Sequence, residues 1–339
     1  MIKKLLFLVF IAIALAAGGV FYGLGQVEKY LEQPLNIQQP SIITIKSGTS
    51  FQGVLKQLEA NQWIEPSDFS RFVRRAKPEL VHVKAGTFQL QPDMTLTSAL
   101  LFLAEGKEHQ FAITFVEGSR FSEWRDILKQ SESLVHTIDE LSEKEIADKL
   151  GIEREKLEGL FLAETYHYTA GTSDLDILKR ANDKLTSVLN AAWESRQDKL
   201  PLKNSYEALI LASIIEKETA VESERKQVSS VFVNRLNRRM RLQTDPTVIY
   251  GMGDKYKGNI RKKDLQTPTP YNTYTINGLP PTPIAMAGEA SIEAAVNPDE
   301  TKYLYFVASG KGGHVFSKTL VEHNRAVRAY LKQLRKNKS

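Results

Sequence analysis

The N-terminus constrains this chain more than any other segment. After Lys3 and Lys4, the run Leu5 to Gly25 is uncharged, and Tyr22 is its only strongly polar side chain. At about 1.5 Å per helical residue, about 20 such residues cross a hydrocarbon core roughly 30 Å thick. Positive charge ahead of the run and none within it predicts the N-terminus inside the cell and the bulk of the chain outside. Ala14-Leu15-Ala16 resembles the small-residue cleavage site of a signal peptide. The apolar run, however, continues through Val20-Phe21-Tyr22, beyond a typical signal core, which favours an uncleaved anchor. On either reading the remainder works outside the cytoplasm.

The 339 residues allow two or three domains and an ample core. The net charge of +5 gathers at the ends, with Lys3 and Lys4 opening the chain and Arg325, Arg328, Lys332, Arg335, Lys336 and Lys338 closing it. A tail of this kind is usually solvated, and nucleic-acid binding is not expected. There is no cysteine, so a disulfide scaffold and a thiol nucleophile are excluded. The six histidines show no metal-binding spacing, so neither a metal nor a cofactor is expected.

The pattern predicts an α+β protein in segments. Residues 1–25 are the anchor, and 26–40, with Pro34 and Pro40, read as a polar linker. Residues 41–110 hold a strand at Ile43–Ile45, a helix from Phe51, a second helix over Pro66 to Arg75, a strand at Phe88–Leu90 and a helix over Leu96 to Ala104. This order resembles a LysM-like α/β module, a fold that implies glycan binding; a generic α+β spacer is the alternative. Residues 111–335 then read as a mixed α+β domain. It opens on the alternating strand Phe111 to Val116 and includes a capping box at Ser142 and Glu145.

The densest chemistry lies between 205 and 325. A helix capped at Ser205 is almost wholly apolar over Leu209 to Ile215 and runs into Glu216-Lys217-Glu218. At about 100° per residue the two glutamates lie on nearly opposite faces, and Glu218 extends the stripe of Leu211 and Ile214, with Val221 beyond. A carboxyl ending a buried stripe loses hydration, which raises its pKa toward the range of a proton donor near neutral pH. Alternatively, both glutamates sit on a solvated helix end, paired with Lys217 or Arg225. Asp245-Pro246 reads as a helix start, and the aromatic and amide groups of 270–274 suit sugar rings. Gly310 to Gly313 reads as a hairpin turn, and His314 and His323 as structural histidines.

Five blocks in order carry a family resemblance: Ala212-Ser213-Ile214-Ile215-Glu216-Lys217-Glu218, Val231-Phe232-Val233-Asn234-Arg235-Leu236, Leu242-Gln243-Thr244-Asp245-Pro246-Thr247, Tyr271-Asn272-Thr273-Tyr274 and Gly278-Leu279-Pro280-Pro281. With the anchor and the LysM-like segment, the chain resembles the YceG-like endolytic murein transglycosylase family. The resemblance implies Glu218 as the catalytic acid/base and Gln243, Tyr271 and Asn272 as substrate-binding residues of the cleft. Two departures stand out: Ala163-Glu164 replaces a usual Pro-Asp, and Ala285-Met286-Ala287-Gly288 replaces a usual Asn-Pro-Gly, a change expected to loosen a loop beside the cleft.

The resemblance further implies cleavage of the β-1,4 bond from N-acetylmuramic acid to N-acetylglucosamine in nascent peptidoglycan, leaving 1,6-anhydro ends and ending glycan elongation. It implies a single-pass protein of the cytoplasmic (inner) membrane with its catalytic domain outside, and partnership with cell-wall synthases. One glutamate suffices for this chemistry because the second nucleophile belongs to the sugar, and Asp245 is at most a helper. A hydrolytic muramidase using Glu218 and Asp245, or a non-catalytic wall-binding protein, are the rival readings.

Overall fold

The computed structural model describes residues 2–336, so Lys338 of the basic tail lies outside the described residues. The protein is mixed α+β with an apolar N-terminal helix, and it divides into two compact units, residues 1–111 with 168–170, and 112–167 with 171–339.

In the first unit, α1 (Ile2–Leu31) is followed by β1 (Ser41–Ile45), α2 (Phe51–Ala60), the short α3 (Val73–Ala76), β2 (Gly86–Leu90) and α4 (Leu96–Glu105). Helix α1 is long and apolar enough to cross a membrane, and its apolar window is unburied by the rest of the chain. The helix does not stop at Gly25. It runs on to Leu31, where Val27, Tyr30 and Leu31 join the core of the unit together with Leu35 and Ile37. Much of the stretch expected as a solvated linker is therefore anchored by its apolar residues.

Strands β1 and β2 pair antiparallel, Ser41 against Leu90 and Ile45 against Gly86, and put Ile43, Ile45, Phe88 and Leu90 into that core. Ser50 caps α2 by accepting from Gly53 N, and Thr95 caps α4 through a capping box with Ser98. The expected helix over 66–75 is instead a 3-10 turn, Asp68–Phe72, leading into α3. Val73 is the only fully buried residue of that stretch, too little to hold a longer amphipathic helix in place.

The second chain segment runs β3 (Phe111–Thr114), α5 (Phe121–Lys129), α6 (Glu143–Leu150), β4 (Thr165–Tyr168), α7 (Asp174–Glu194), α8 (Ser205–Glu218), α9 (Arg225–Asn237), α10 (Asp245–Met252), α11 (Lys262–Gln266), α12 (Glu289–Val296), β5 (Tyr305–Ala308), β6 (His314–Ser317) and α13 (Leu320–Lys336). The strands only pair off, β3 with β4 and β5 with β6, so helices build the core. Helix α8 is its axis: every residue from Ala208 to Ile215 is buried, and α7, α9, α10 and α12 pack around it. Asn204, one residue earlier than expected, caps it by accepting from Glu207 N.

The same unit holds an aromatic cluster, with Phe115 stacked on Trp124 and both Trp124 and Phe121 against Phe161. Ser142 and Glu145 close their capping box on α6. The segment Ile284–Ala287 is not a loose loop. All four residues are buried, and backbone bonds join Met286 to Gly118 and Ser119, while Ser213 Oγ accepts from Ile284 N. Small alanines and a flexible Met fit a narrow passage between packed elements, which explains why a Pro-Gly turn is dispensable there.

Asp174, fully buried at the start of α7, accepts hydrogen bonds from the backbone N–H groups of Thr137, Ile138 and Leu175 and from the Thr137 hydroxyl. Asp174→Ala leaves these donors unpaired in the interior. It should destabilise the protein by about 2–4 kcal/mol, measured by denaturant unfolding; a change within about 0.5 kcal/mol would show that water replaces the carboxylate without cost.

Candidate active site

Helix α8 ends at Glu218, where Thr219 turns to an extended conformation. Val221 therefore leaves the helical stripe and is exposed. The two glutamates face different surroundings, as the helical phase requires. Glu216 accepts from Gly288 N at 3.0 Å, whereas Glu218 accepts through Oε1 from the Thr244 hydroxyl.

Glu218 lines an open cleft of about 430 Å³ with Phe232, Arg235, Leu242, Gln243, Asp245, Tyr274, Tyr305, Phe306, Leu320, His323 and Asn324. The residue keeps partial contact with solvent through this cleft, but its carboxyl is closely enclosed. Burial is the main influence and pushes the pKa up to about 7. The Thr244 hydrogen bond pulls it down, the negative charge of Asp245 adds to the rise, and His314 and Arg235 oppose it weakly.

The surroundings hold this geometry tightly. Arg235, buried on α9, donates from Nε to Leu304 O at 2.7 Å and from Nη1 to Leu242 O at 2.8 Å and Arg241 O at 3.1 Å. Gln243 sits in the left-handed region at φ 53°, a costly conformation for a residue with a Cβ, and is fixed by Arg235 Nη1 on its side-chain oxygen and by Thr273 O on its N–H. Thr244 N donates to Thr273 Oγ1, which also bonds the Thr247 hydroxyl. On the rim, the Tyr274 hydroxyl donates to Asp245 Oδ1 at 2.6 Å. Burial and then Asp245 push that phenol's pKa up, so it remains a donor.

Of the residues expected in the cleft, Gln243 lines it beside Glu218 and the other two do not. Tyr271 bonds Thr282 through its hydroxyl and packs on Tyr250. Asn272 is fully buried. Its amide nitrogen serves Asp264 O, Leu265 O and Thr267 O, and its oxygen accepts from Tyr274 N. It shapes the loop that presents Thr273 and Tyr274, and it borders a separate cavity.

His323 borders the cleft stacked on Tyr305. His314 pairs with Glu224 at 2.8 Å, at the end of the expected hairpin. There Gly313, at φ 74°, lies so close to Glu224 that any Cβ would collide with its carboxylate. Tyr274 belongs to the 270–274 segment whose aromatic groups suit sugar rings, whereas Thr244 and Arg235 were not expected as site residues; the one signal for them was Arg235, placed four residues after Val231 on the apolar face of α9. Among the described residues, His136, Asp139 and Asp174 could face one ion, but the Asp174 oxygens already take backbone donors.

A carboxylic acid whose pKa is raised to about 7, in the wall of an open polar cleft, is suited to acid-assisted bond cleavage or transfer. The model of the YceG-like family matches residues 43–329, and the chain belongs to that family. It is 34% identical over 338 residues to an endolytic murein transglycosylase of Bacillus subtilis, covering 94% of this chain and 91% of that protein. It is 27% identical to one from Streptococcus pneumoniae, over 95% of this chain and 64% of the relative. A crystal structure of a YceG-like protein from Listeria monocytogenes matches 85% of this chain and 99% of its own, with a TM-score of 0.54 and 31% identity.

The raised pKa has a consequence for stability. Folding lifts the Glu218 pKa from an ordinary 4.5 to about 7. Its share of stability is thus fully present below about 4.5 and is lost as pH rises through 7. Glu218→Gln removes this dependence. Between pH 4.5 and 8 the wild type should lose up to about 3 kcal/mol relative to the variant, readable as a difference in unfolding midpoints. Parallel stability curves would mean that the carboxyl is ionised in the native state.

Proposed function

We propose that this chain is an endolytic murein transglycosylase that cleaves the β-1,4 bond between N-acetylmuramic acid and N-acetylglucosamine within nascent glycan strands and leaves 1,6-anhydro ends. The observation that carries this reading is the enclosed Glu218 carboxyl, with a pKa near 7, in the wall of an open cleft of about 430 Å³. The relatives bearing that enzyme name match nearly the whole chain.

In the proposed reaction, protonated Glu218 gives its proton to the bridging oxygen as the bond from that oxygen to the muramoyl anomeric carbon breaks. Positive charge developing on the sugar is stabilised by Asp245 and by the newly formed Glu218 carboxylate. That carboxylate then takes the proton of the muramoyl 6-hydroxyl while its oxygen bonds the anomeric carbon, restoring the acid. No water is consumed, because proximity of the 6-hydroxyl replaces an external nucleophile. Gln243 and Tyr274 are suited to orient the sugar, and the Thr244 hydrogen bond fixes which carboxyl oxygen carries the proton.

Helix α1 tethers the enzyme as a single span with its N-terminus inside, so that cuts fall near the bilayer, where new strands emerge and where wall synthases work. The β1-α2-α3-β2 order of residues 41–90 supports a LysM-like, glycan-holding role for the first unit.

Mass spectrometry of digested sacculi tests the reaction. Wild type should release anhydromuramoyl ends, and Glu218→Gln should lose at least about a thousandfold in rate. Glu216→Gln, whose new amide oxygen can still accept from Gly288 N, should keep most of its rate. Reducing ends in place of anhydro ends would identify a hydrolase, and intact glycan a binding protein. The rate should fall as pH rises through 7, as Glu218 loses its proton. Asp245→Asn removes one of the influences that raise this pKa, so the alkaline limb should move to lower pH while cleavage persists. Total loss of cleavage in Asp245→Asn would instead make Asp245 indispensable to the reaction, and the ends released by the wild type would then separate hydrolase from transglycosylase.

A further inference from the structure

A second cavity, of about 350 Å³, lies in the same unit as Glu218. Its lining includes Lys255, Lys257, Arg261 and Lys263 but only one acid, Asp264. That carboxylate accepts from Arg261 N at 2.8 Å, so it is engaged in the start of α11. No carboxylate among the described residues pairs with any of the four cations. Four like charges facing one concavity repel one another and raise its local potential, an arrangement that favours an incoming anion.

The cavity is tied to the catalytic cleft through α10. Asp245, at the first residue of α10, borders the Glu218 cleft, whereas Val248, Gly251 and Met252 border the cationic cavity. The helix rise puts its two ends about 10 Å apart. The wall is also shaped closely: a Cβ on Gly251 would meet Thr269 Oγ1 at 2.8 Å and Tyr271 Cβ at 3.1 Å, so α10 lies against the 269–271 loop only because residue 251 has no side chain. The Thr269 hydroxyl, which lines the cavity, accepts from Tyr271 N.

We propose that this cavity is a subsite for the carboxylates of the short peptides carried by muramic acid, so that the protein reads peptide-bearing strands in preference to bare glycan. The inference rests on the murein reading above. The reach fits: three to five extended residues span about 10–17 Å, enough to pass from a sugar at Glu218 to the far end of α10. The cations give the peptide a charge-selective hold without demanding one residue sequence, because lysine ammoniums are mobile point charges.

Full-length protein carrying Lys255→Gln, Lys257→Gln and Arg261→Gln together tests the proposal. None of these residues borders the Glu218 cleft. On peptide-bearing strands the variant should raise KM about tenfold, the size that three solvent-screened charge contacts supply, with kcat unchanged. On the same strands with their peptides removed by amide cleavage, variant and wild type should coincide. Equal loss on both strands, or no loss on either, overturns the subsite.

Binding supplies a readout that survives failure of the catalytic reading. In a Glu218→Gln background, peptide-bearing strands should be retained more tightly than stripped ones, and the three cation substitutions should erase the difference. Should wild type cleave neither strand while this difference persists, the reaction falls and the subsite stands. Absence of the difference, or stronger retention of strands decorated with phosphate polymers than of peptide-bearing strands, overturns the subsite.

Discussion

Enclosure of one carboxyl group is the interaction on which the site depends. Water stabilises an ionised glutamate, and where α8 ends that water is replaced by packed side chains and a single hydroxyl donor, Thr244. The cost of ionisation is what raises the pKa to about 7. Much of the second unit serves this purpose: α7, α9, α10 and α12 pack around α8, and its last residue borders the cleft.

Charge must also be kept from the wrong place. Arg235 borders the same cleft, and a direct ion pair with Glu218 would hold the carboxylate ionised and remove the acid. Its guanidinium is instead turned to the carbonyls of Arg241, Leu242 and Leu304, where it fixes the chain on either side of the cleft, and its influence on Glu218 is among the weakest. Asp245 acts in the opposite sense. Held by the Tyr274 hydroxyl, it adds negative charge that discourages a second ionisation nearby.

The sequence made some of this legible and hid the rest for identifiable reasons. The apolar helix before Glu216-Lys217-Glu218 and the alternate facing of the two glutamates follow from periodicity, because a helix this buried leaves little freedom of phase. The glycine hairpin and the Ser142–Glu145 capping box follow from local backbone chemistry. Tertiary partners were out of reach. Asn272 looks like a sugar ligand in an aromatic loop, yet its amide holds three carbonyls of its own loop, an outcome decided by the fold of 264–275 and not by residue type. Thr244 looks ordinary until α10 brings it to the end of α8. The extension of α1 into the first core was masked by Glu28, Lys29 and Glu32, whose charges made an amphipathic helix end read as linker.

Helix α10 joins these threads. Pro246 in its first turn fixes where it begins, so Asp245 and the preceding Thr244 fall beside Glu218. Seven residues later the same rigid element ends among lysines, and Gly251 lets it press against the loop whose other residues, Thr273 and Tyr274, complete the acid site. Both cavities thus share one short helix, and Asn272, which borders the second, accepts from the N–H of Tyr274, which borders the first. Tyr271 and Asn272 lie outside the cleft that contains Glu218, and Asn272 reaches it through the loop that carries Tyr274.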